Sequence, residues 1–540
     1  MSGEMKKPVL AMYDVRGKQE FIFRTNKIQE IVGGSWIIRD VFDDYLFETA
    51  KGMEEGCKGI FSYKRDDETD FSPERFKKHI EEGYIGEVVY DGGGNFILLF
   101  KDEDTFKKVT YEFTKKVLLN IGTLRILGTA IPVDDDRFSD YGSDVKKLYK
   151  THRVNEAQES KVDPWGVLPV AKVNRSTSQP LIDYSLMPGY EELDKGIKET
   201  LKVKGENGKL TKEAYAKLVK YHTELKMIES GHSNLTEIER NFFSKNEKLL
   251  DNLVEEKGRD SKLAVIYIDG NNMGARVQSA TDGTKDYISS VKALRKFSNS
   301  IQKTYVEEGI KAALSPKDGN EDPFRIVVYA GDEINFIVKA KDAMECTMSY
   351  LDNLDVNNGE SACAGISVFH SHAPYSDAYR IAEEACESGK QKMKELARED
   401  KDLKDASFID FHIGQGAYGM SLESIREVEN SDIISRPWFI RGNKNPSEEN
   451  VTYYSQVERM AKLFDKYARS NIKGLAKTAR TSLAELDLEL KRIYAHSSVT
   501  DDDETEWQWI NGLNEEFRRN LIYDVSISYD LWWNGAEGEN

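Results

Sequence analysis

Apolar and polar positions along this chain repeat in two blocks that share one order. Near the start, Pro8 to Asp14 is a short apolar run with the length and composition of a buried strand. Gly17 breaks it, and FIFRTNKIQEIV then carries apolar residues at helical spacing. Gly33-Gly34-Ser35 is expected to open a further amphipathic helix that runs to about Ala50. Next, GEVVYDGGGNFILLF sets two apolar runs around Asp91-Gly92-Gly93-Gly94, the pattern of a β-hairpin with a glycine turn. A helix over Glu103 to Leu119 and a strand through TLRILGTAIPV complete the block.

The second block starts at Lys262, where LAVIYIDGNNMG reads as a buried strand running into a glycine-bearing turn. A helix from about Tyr287 to Glu308 follows, then a hairpin in FRIVVYAGDEINFIVKA, a helix over Lys341 to Asn353, the strand SACAGISVFH, and the helix SDAYRIAEEACESGKQKMKELA. The order strand, turn, helix, hairpin, helix, strand thus recurs after roughly 250 residues, which predicts a duplicated domain and not a solenoid. Between the blocks, Asp183 to Asp260 is rich in Lys, Glu and Leu at helical spacing, and from Glu448 the pattern is again mostly helical. The expected divisions are 1–150, 151–260 as linker and helical insertion, 261–440, and 441–540 as a helical C-terminal domain.

Composition narrows the classes. A chain of 540 residues exceeds one compact domain, and 39% hydrophobic with 31% charged residues suits folding throughout. The net charge of −18 argues against a surface that wraps nucleic acid without specificity, which needs clustered Lys and Arg. Cys57, Cys346, Cys363 and Cys386 are scattered without a CxxC pair, so no disulfide framework or zinc ribbon is expected. With no signal-peptide core and no apolar span of membrane length, the expectation is a cytoplasmic protein without a membrane partner.

The chemistry gathers in the second block. Asp269 ends the apolar strand Val265 to Ile268, and Asp332 with Glu333 sits in the turn Ala330-Gly331-Asp332-Glu333 between RIVVY and INFIV. Each alone is ordinary turn chemistry. Together, acids at the ends of neighbouring strands are what two divalent cations need in order to bridge phosphates and activate a ribose hydroxyl.

VIYIDGNNMG with VVYAGDEINFIV resembles the catalytic palm of the large subunit of type III CRISPR effector complexes, a family related to GGDEF diguanylate cyclases. Ala330 stands for the first glycine of the family's hairpin, and Glu333 for its second aspartate. SVFHSHAPYSDAYRIAEEACESGK is similar to the family's later strand, turn and lysine-ended helix, with Lys390 in the lysine's place. YDVRGKQEFIFRTNKIQEIVGGSWIIRDVF resembles the opening of its first palm. The resemblance covers about Val9 to Val133 and Lys262 to Trp438.

It implies an α+β fold with two ferredoxin-like palms packed face to face, a helical insertion and a helical C-terminal domain. Asp269, Asp332 and Glu333 would be the catalytic and metal-holding residues, with Mg2+ or Mn2+. Asn271, Asn272 and Gly274, together with Gly331, would lie against the nucleotide, and Lys390 on the triphosphate. In the first palm, Gly34, Ser35 and Gly93 would line a second nucleotide site. That palm's hairpin lacks the acidic pair, so it is expected to bind without catalysing. The implied activity is the joining of ATP, or another nucleoside triphosphate, into a cyclic or linear oligoadenylate second messenger for antiviral defence. The implied partners are RNA-guided effector subunits and RNA. Two alternatives stand beside it: a palm-pair scaffold or nucleotide sensor without turnover, and a GTP-using enzyme of the diguanylate-cyclase kind.

Overall fold

A computed structural model describes residues 7–63, 70–92, 95–133, 138–159, 172–205, 207–230, 250, 253–254, 261–281, 284–315, 324–414, 419–428, 433–496 and 501–533. Up to Glu229 the elements are β1 (Val9–Arg16), α1 (Lys18–Phe23), α2 (Ile28–Val41), α3 (Glu48–Lys51), β2 (Gly59–Phe61), α4 (Pro73–Glu81), β3 (Tyr84–Gly92), β4 (Asn95–Phe100), α5 (Glu103–Asn120), β5 (Arg125–Pro132), α6 (Tyr141–Gln158), β6 (Ile182–Asp183), α7 (Lys195–Lys204), β7 (Lys209–Leu210) and α8 (Lys212–Glu229). From Lys262 come β8 (Lys262–Gly270), α9 (Met273–Ala280), α10 (Tyr287–Ile301), α11 (Gly309–Leu314), β9 (Arg325–Ala330), β10 (Glu333–Lys339), α12 (Ala343–Asn353), β11 (Ala362–His370), α13 (Tyr375–Glu399), β12 (Ser407–Ile413) and α14 (Leu422–Val428). The chain ends through β13 (Trp438–Arg441), β14 (Thr452–Tyr453), α15 (Tyr454–Phe464), α16 (Arg469–Thr481), α17 (Leu483–Ala495), α18 (Asp501–Gly512) and α19 (Glu515–Trp532).

The fold is α+β. A five-stranded sheet has the order β2-β3-β4-β1-β5, and a seven-stranded sheet the order β14-β13-β12-β11-β8-β10-β9. In each, the first strand of its block lies in the interior of the sheet. β1 lies antiparallel between β4 and β5, and β8 lies antiparallel between β10 and β11. Both are buried over nearly their whole length instead of alternating, as strands covered on two faces must be. The four strands β3-β4-β1-β5 and, read in reverse, β11-β8-β10-β9 have the strand order of a ferredoxin-like βαββαβ unit. No helix among the described residues is long and apolar enough to cross a membrane.

The chain divides into two compact units: Met1–Ser244 with Met273–Val306 and Val327–Asp332, and Lys245–Asn272 with Glu307–Ile326 and Glu333–Asn540. The continuous second domain expected at 261–440 is therefore interrupted, because α10 belongs to the first unit. Tyr287, Val291 and Leu294 join a core with Leu10, Met12, Ile97 and Leu99. Arg295, fully buried, places Nη2 2.8 Å from the equally buried Glu87 and donates Nη1 to the Asp70 carbonyl at 3.0 Å. Removing one partner of such a buried pair leaves a charge without compensation, which anchors the helix firmly.

Gly33-Gly34-Ser35 lies within α2, not at its start. The glycines admit α8: a Cβ on Gly33 would fall 2.0 Å from the Lys217 carbonyl oxygen, and one on Gly34 would meet Lys217 Cε at 3.0 Å. Lys217 is itself buried, with Nζ 2.6 Å from Glu213 Oε1 and 4.3 Å from the centre of the Phe21 ring. Part of the expected insertion is thus framework for the first unit.

In the second unit, α13 lies directly on β11. A Cβ on Gly365 would fall 1.9 Å from the Ala382 carbonyl oxygen and 2.5 Å from the Cys386 nitrogen. The apolar face of α13, with Ala378, Ile381, Ala382, Ala385 and Met393, follows the helical period. The C-terminal helices dock onto the same unit: Arg436 Nη1 is 2.8 Å from Asp524 Oδ1 of α19, and Trp532 donates Nε1 to the Ala340 carbonyl at 2.9 Å. All four cysteines are free. Gly365→Ala should lower the stability of the second unit by about 2–3 kcal/mol in chemical denaturation; an unchanged midpoint would show that α13 can lift without loss.

Candidate functional site

β8 delivers Asp269 to the end of a central strand. In register it faces Glu333 of β10 on one side and Cys363 of β11 on the other. Directly opposed residues of antiparallel strands share one face of the sheet with closely spaced side chains. Two carboxylates in this arrangement repel one another unless a cation lies between or beside them.

Lys390 of α13 supplies that cation. Its Nζ is 2.5 Å from Asp269 Oδ2 and donates to the Gly270 carbonyl at 3.0 Å. Burial alone would lower its pKa, and the Asp269 carboxylate outweighs burial and holds the ammonium above its ordinary value. The helix brings Lys390 within reach because Gly389 sits tight on the sheet, where a Cβ would meet Phe408 Cβ at 3.0 Å and Cys363 Cβ at 3.4 Å. From the same helix, the Tyr379 hydroxyl is 3.3 Å from Glu333 Oε1. Burial first, and then the Glu333 charge, push that phenol well up, so it stays a neutral donor.

The turn after Asp269 divides its labour. Asn271 is fully buried: its nitrogen donates to the Ser361 carbonyl at 2.8 Å, and its Nδ2 to Ser361 Oγ at 3.2 Å and the Ala406 carbonyl at 3.1 Å. Those bonds tie the turn to the framework. Asn272 adopts φ 52°, a left-handed conformation that asparagine tolerates, and donates Nδ2 to the Lys404 carbonyl at 2.6 Å. At Gly274 an added Cβ would meet nothing within 4 Å. Gly331 has φ 68°, so the hairpin turn requires glycine there.

Asp332 is half-buried in that turn and belongs to the first unit. There it adds, after burial, Tyr149 and Asp91, to the influences that raise the Tyr90 phenol. Gly34 is placed in the α2–α8 contact described above, and Ser35, next to it in α2, is buried. Gly93 lies outside the described residues.

One residue carried no expectation. Asp14 of β1 faces Asn95 of β4 and Leu127 of β5, the register that Asp269 has with Glu333 and Cys363. It is held by Arg16 Nη1 at 2.7 Å and lies 3.7 Å from His152 Nε2 on α6. Burial pushes its carboxyl up, and His152 and Arg16 outweigh that and hold it below the usual carboxylate range. The signal is present in the sequence, where LAMYD in the first block matches LAVIYID in the second.

Among the described residues no group of three His, Cys, Asp or Glu side chains is gathered for a metal ion. The donors present do fit magnesium. Asp269, Glu333 and the Gly270 carbonyl are hard oxygens, Mg2+ commonly takes one or two carboxylates and completes its shell with water and phosphate, and a cation already rests on two of these oxygens.

The chain is thus an α+β protein with two sheets of ferredoxin-like strand order, one of which ends in an acid, acid and lysine constellation. No protein-family model matches it, and no curated protein matches it. Among solved structures it is similar to a Csm1-Csm4 cassette in complex with pppApApA, at 12% identity and TM-score 0.49, over 98% of this chain and 71% of that one. The Csm1-Csm4 subcomplex of the type III-A CRISPR-Csm interference complex gives 12% and 0.48 over 98% and 71%. The Csm1-Csm4 cassette in complex with cA4 gives 13% and 0.48 over 97% and 70%. Likeness at this level carries no chemistry, which rests on the side chains above.

If nucleotide approaches the open backbone at Gly274, Gly274→Ala should leave unfolding within about 0.5 kcal/mol of the parent while weakening binding of a fluorescent triphosphate. Undiminished binding would remove Gly274 from the site.

Proposed function

We propose that this chain is a nucleotidyltransferase that joins ATP into a cyclic or linear oligoadenylate, with Mg2+ or Mn2+ held by Asp269, Asp332 and Glu333. The observation that carries this reading is the opposition of Asp269 and Glu333 across β8 and β10, with Lys390 of α13 on the same face. Asp332 enters through its place in the turn just before Glu333 and through the motif resemblance. When bound, the cations would neutralise phosphate charge and make a ribose hydroxyl a better nucleophile.

The chain's own residues then have defined parts. The carboxylates of Asp269 and Glu333 would hold the divalent charge at the strand ends. Tyr379 fixes the orientation of Glu333 through its hydroxyl. Lys390 offers a compact ammonium to polyphosphate oxygens. The hydroxyl of one nucleotide attacks the α-phosphate of another and expels pyrophosphate. Positioning and charge neutralisation account for the rate, so the site needs no covalent nucleophile.

The two ferredoxin-like sheets are on this reading a palm pair, the first degenerate. Partners among RNA-guided effector subunits, RNA as the activating signal, action in the cytoplasm and a role in antiviral defence belong to the same proposal. A palm pair without turnover would bind ATP and release no pyrophosphate. A diguanylate-type enzyme would consume GTP in preference to ATP.

Asp332→Ala is expected to cut pyrophosphate release from ATP by at least about a hundredfold with an unchanged thermal transition, since the residue is half-buried in a turn. Turnover retained in that variant would refute its assigned role, and chelation of divalent cations should abolish release in the parent.

A further inference from the structure

The position of Lys390 bears on the order in which ligands can enter. Asp269 Oδ2 and the Gly270 carbonyl oxygen converge on its Nζ at 2.5 and 3.0 Å. A carboxylate oxygen beside a main-chain carbonyl is a pair of hard donors of the kind a divalent cation takes. An ammonium and a metal ion cannot both hold them.

Nor can the ammonium simply withdraw into water. The Lys390 side chain is only 13% exposed, and the close seat of Gly389 on Phe408 and Cys363 sets its base directly against the sheet. A cation detached from its carboxylate at such a place is costly until another anion receives it. Triphosphate oxygens are such an anion, and the metal that replaces the ammonium on Asp269 is commonly carried by the same phosphates.

Resting on the function proposed above, we infer that Lys390 is the standing counter-ion of Asp269 and couples metal binding to nucleotide binding. The divalent cation takes the carboxylate only as the ammonium passes to the polyphosphate. Metal without nucleotide competes with a resident cation and binds more weakly; metal with nucleotide is admitted by an exchange in which each negative group keeps a positive partner. By linkage, the nucleotide must gain from the metal the same factor that the metal gains from the nucleotide.

Titration of Mn2+ into the full chain, followed by electron paramagnetic resonance of the free ion, tests this without turnover. It is done with and without an ATP analogue blocked at the α,β bridge. Lys390→Met should bind Mn2+ alone about tenfold more tightly than the parent, and the further gain on adding the analogue should shrink. Lys390→Gln should behave alike. Lys394→Met removes a charge one turn farther along α13, where Lys394 is exposed and paired with Glu387 at 3.1 Å, and should match the parent. Mn2+ affinity no tighter in both Lys390 variants, or equally tighter in Lys394→Met, overturns the exchange. If Asp269→Asn leaves Mn2+ binding unchanged in every background, the metal is not at Asp269, and the nucleotidyltransferase reading falls with the exchange.

Discussion

The height of α13 above β11 governs the second unit's chemistry. At Gly365 the backbone of the strand meets the backbone of the helix with no side chain between them, and at Gly389 the helix meets the side chains of Phe408 and Cys363. A methyl group at the first position would raise the helix by something on the order of one carbon–carbon bond, about 1.5 Å. Lys390 follows Gly389 directly, and its 2.5 Å contact with Asp269 has no such slack. Packing and charge placement are therefore one problem in this unit. The small residues that seem only to tighten the core also decide which ionised groups can touch.

The second constraint is like charge on neighbouring strands. Register places Asp269 opposite Glu333, and two carboxylates so opposed repel one another. The first sheet shows the same position relieved. Asp14 faces the neutral Asn95, and Arg16 and His152 close around its carboxylate. Arg16 in turn reaches Glu156 and, at 3.9 Å, Glu159, so its charge is committed several times over. One strand end is a carboxylate held inside a network; the other is a carboxylate pair in register, with Lys390 on Asp269 and the Tyr379 hydroxyl on Glu333.

Much of this was legible in the sequence because it is local. Buried strands β1 and β8, the β3–β4 and β9–β10 hairpins, and α5, α12 and α13 follow from hydrophobic period and turn residues, and Gly331 from the positive φ its turn needs. What could not be read depends on partners far along the chain. Gly33-Gly34 looks like a helix start because glycine commonly marks a boundary; its reason is Lys217, on a helix nearly two hundred residues on. α10 enters the first unit's core through Tyr287, Val291 and Leu294 and meets Glu87 through the buried Arg295, and no periodicity announces which of two cores a helix will enter. Asn271 reads as a ligand contact beside a catalytic aspartate, and burial gives it a framework part.

That framework part follows from how the chain is divided. After Asp269 it runs through Gly270, Asn271 and Asn272 and then leaves the second unit, since Met273–Val306 belongs to the first. Any movement of the departing segment would pull on the strand end that carries the candidate metal ligand. Asn271 opposes this with three hydrogen bonds to Ser361 and Ala406, and the left-handed Asn272 turns the chain away while its side chain holds the Lys404 carbonyl. On the function proposed above, Asp269 must keep its place beside Glu333 and Lys390, and an anchor immediately after it serves that need, because the backbone beyond belongs to another core. Two consecutive asparagines, one buried to bond and one bent to turn, meet that need with side chains short enough to reach neighbouring main chain and, in the second, a tolerance for positive φ that few other residues have.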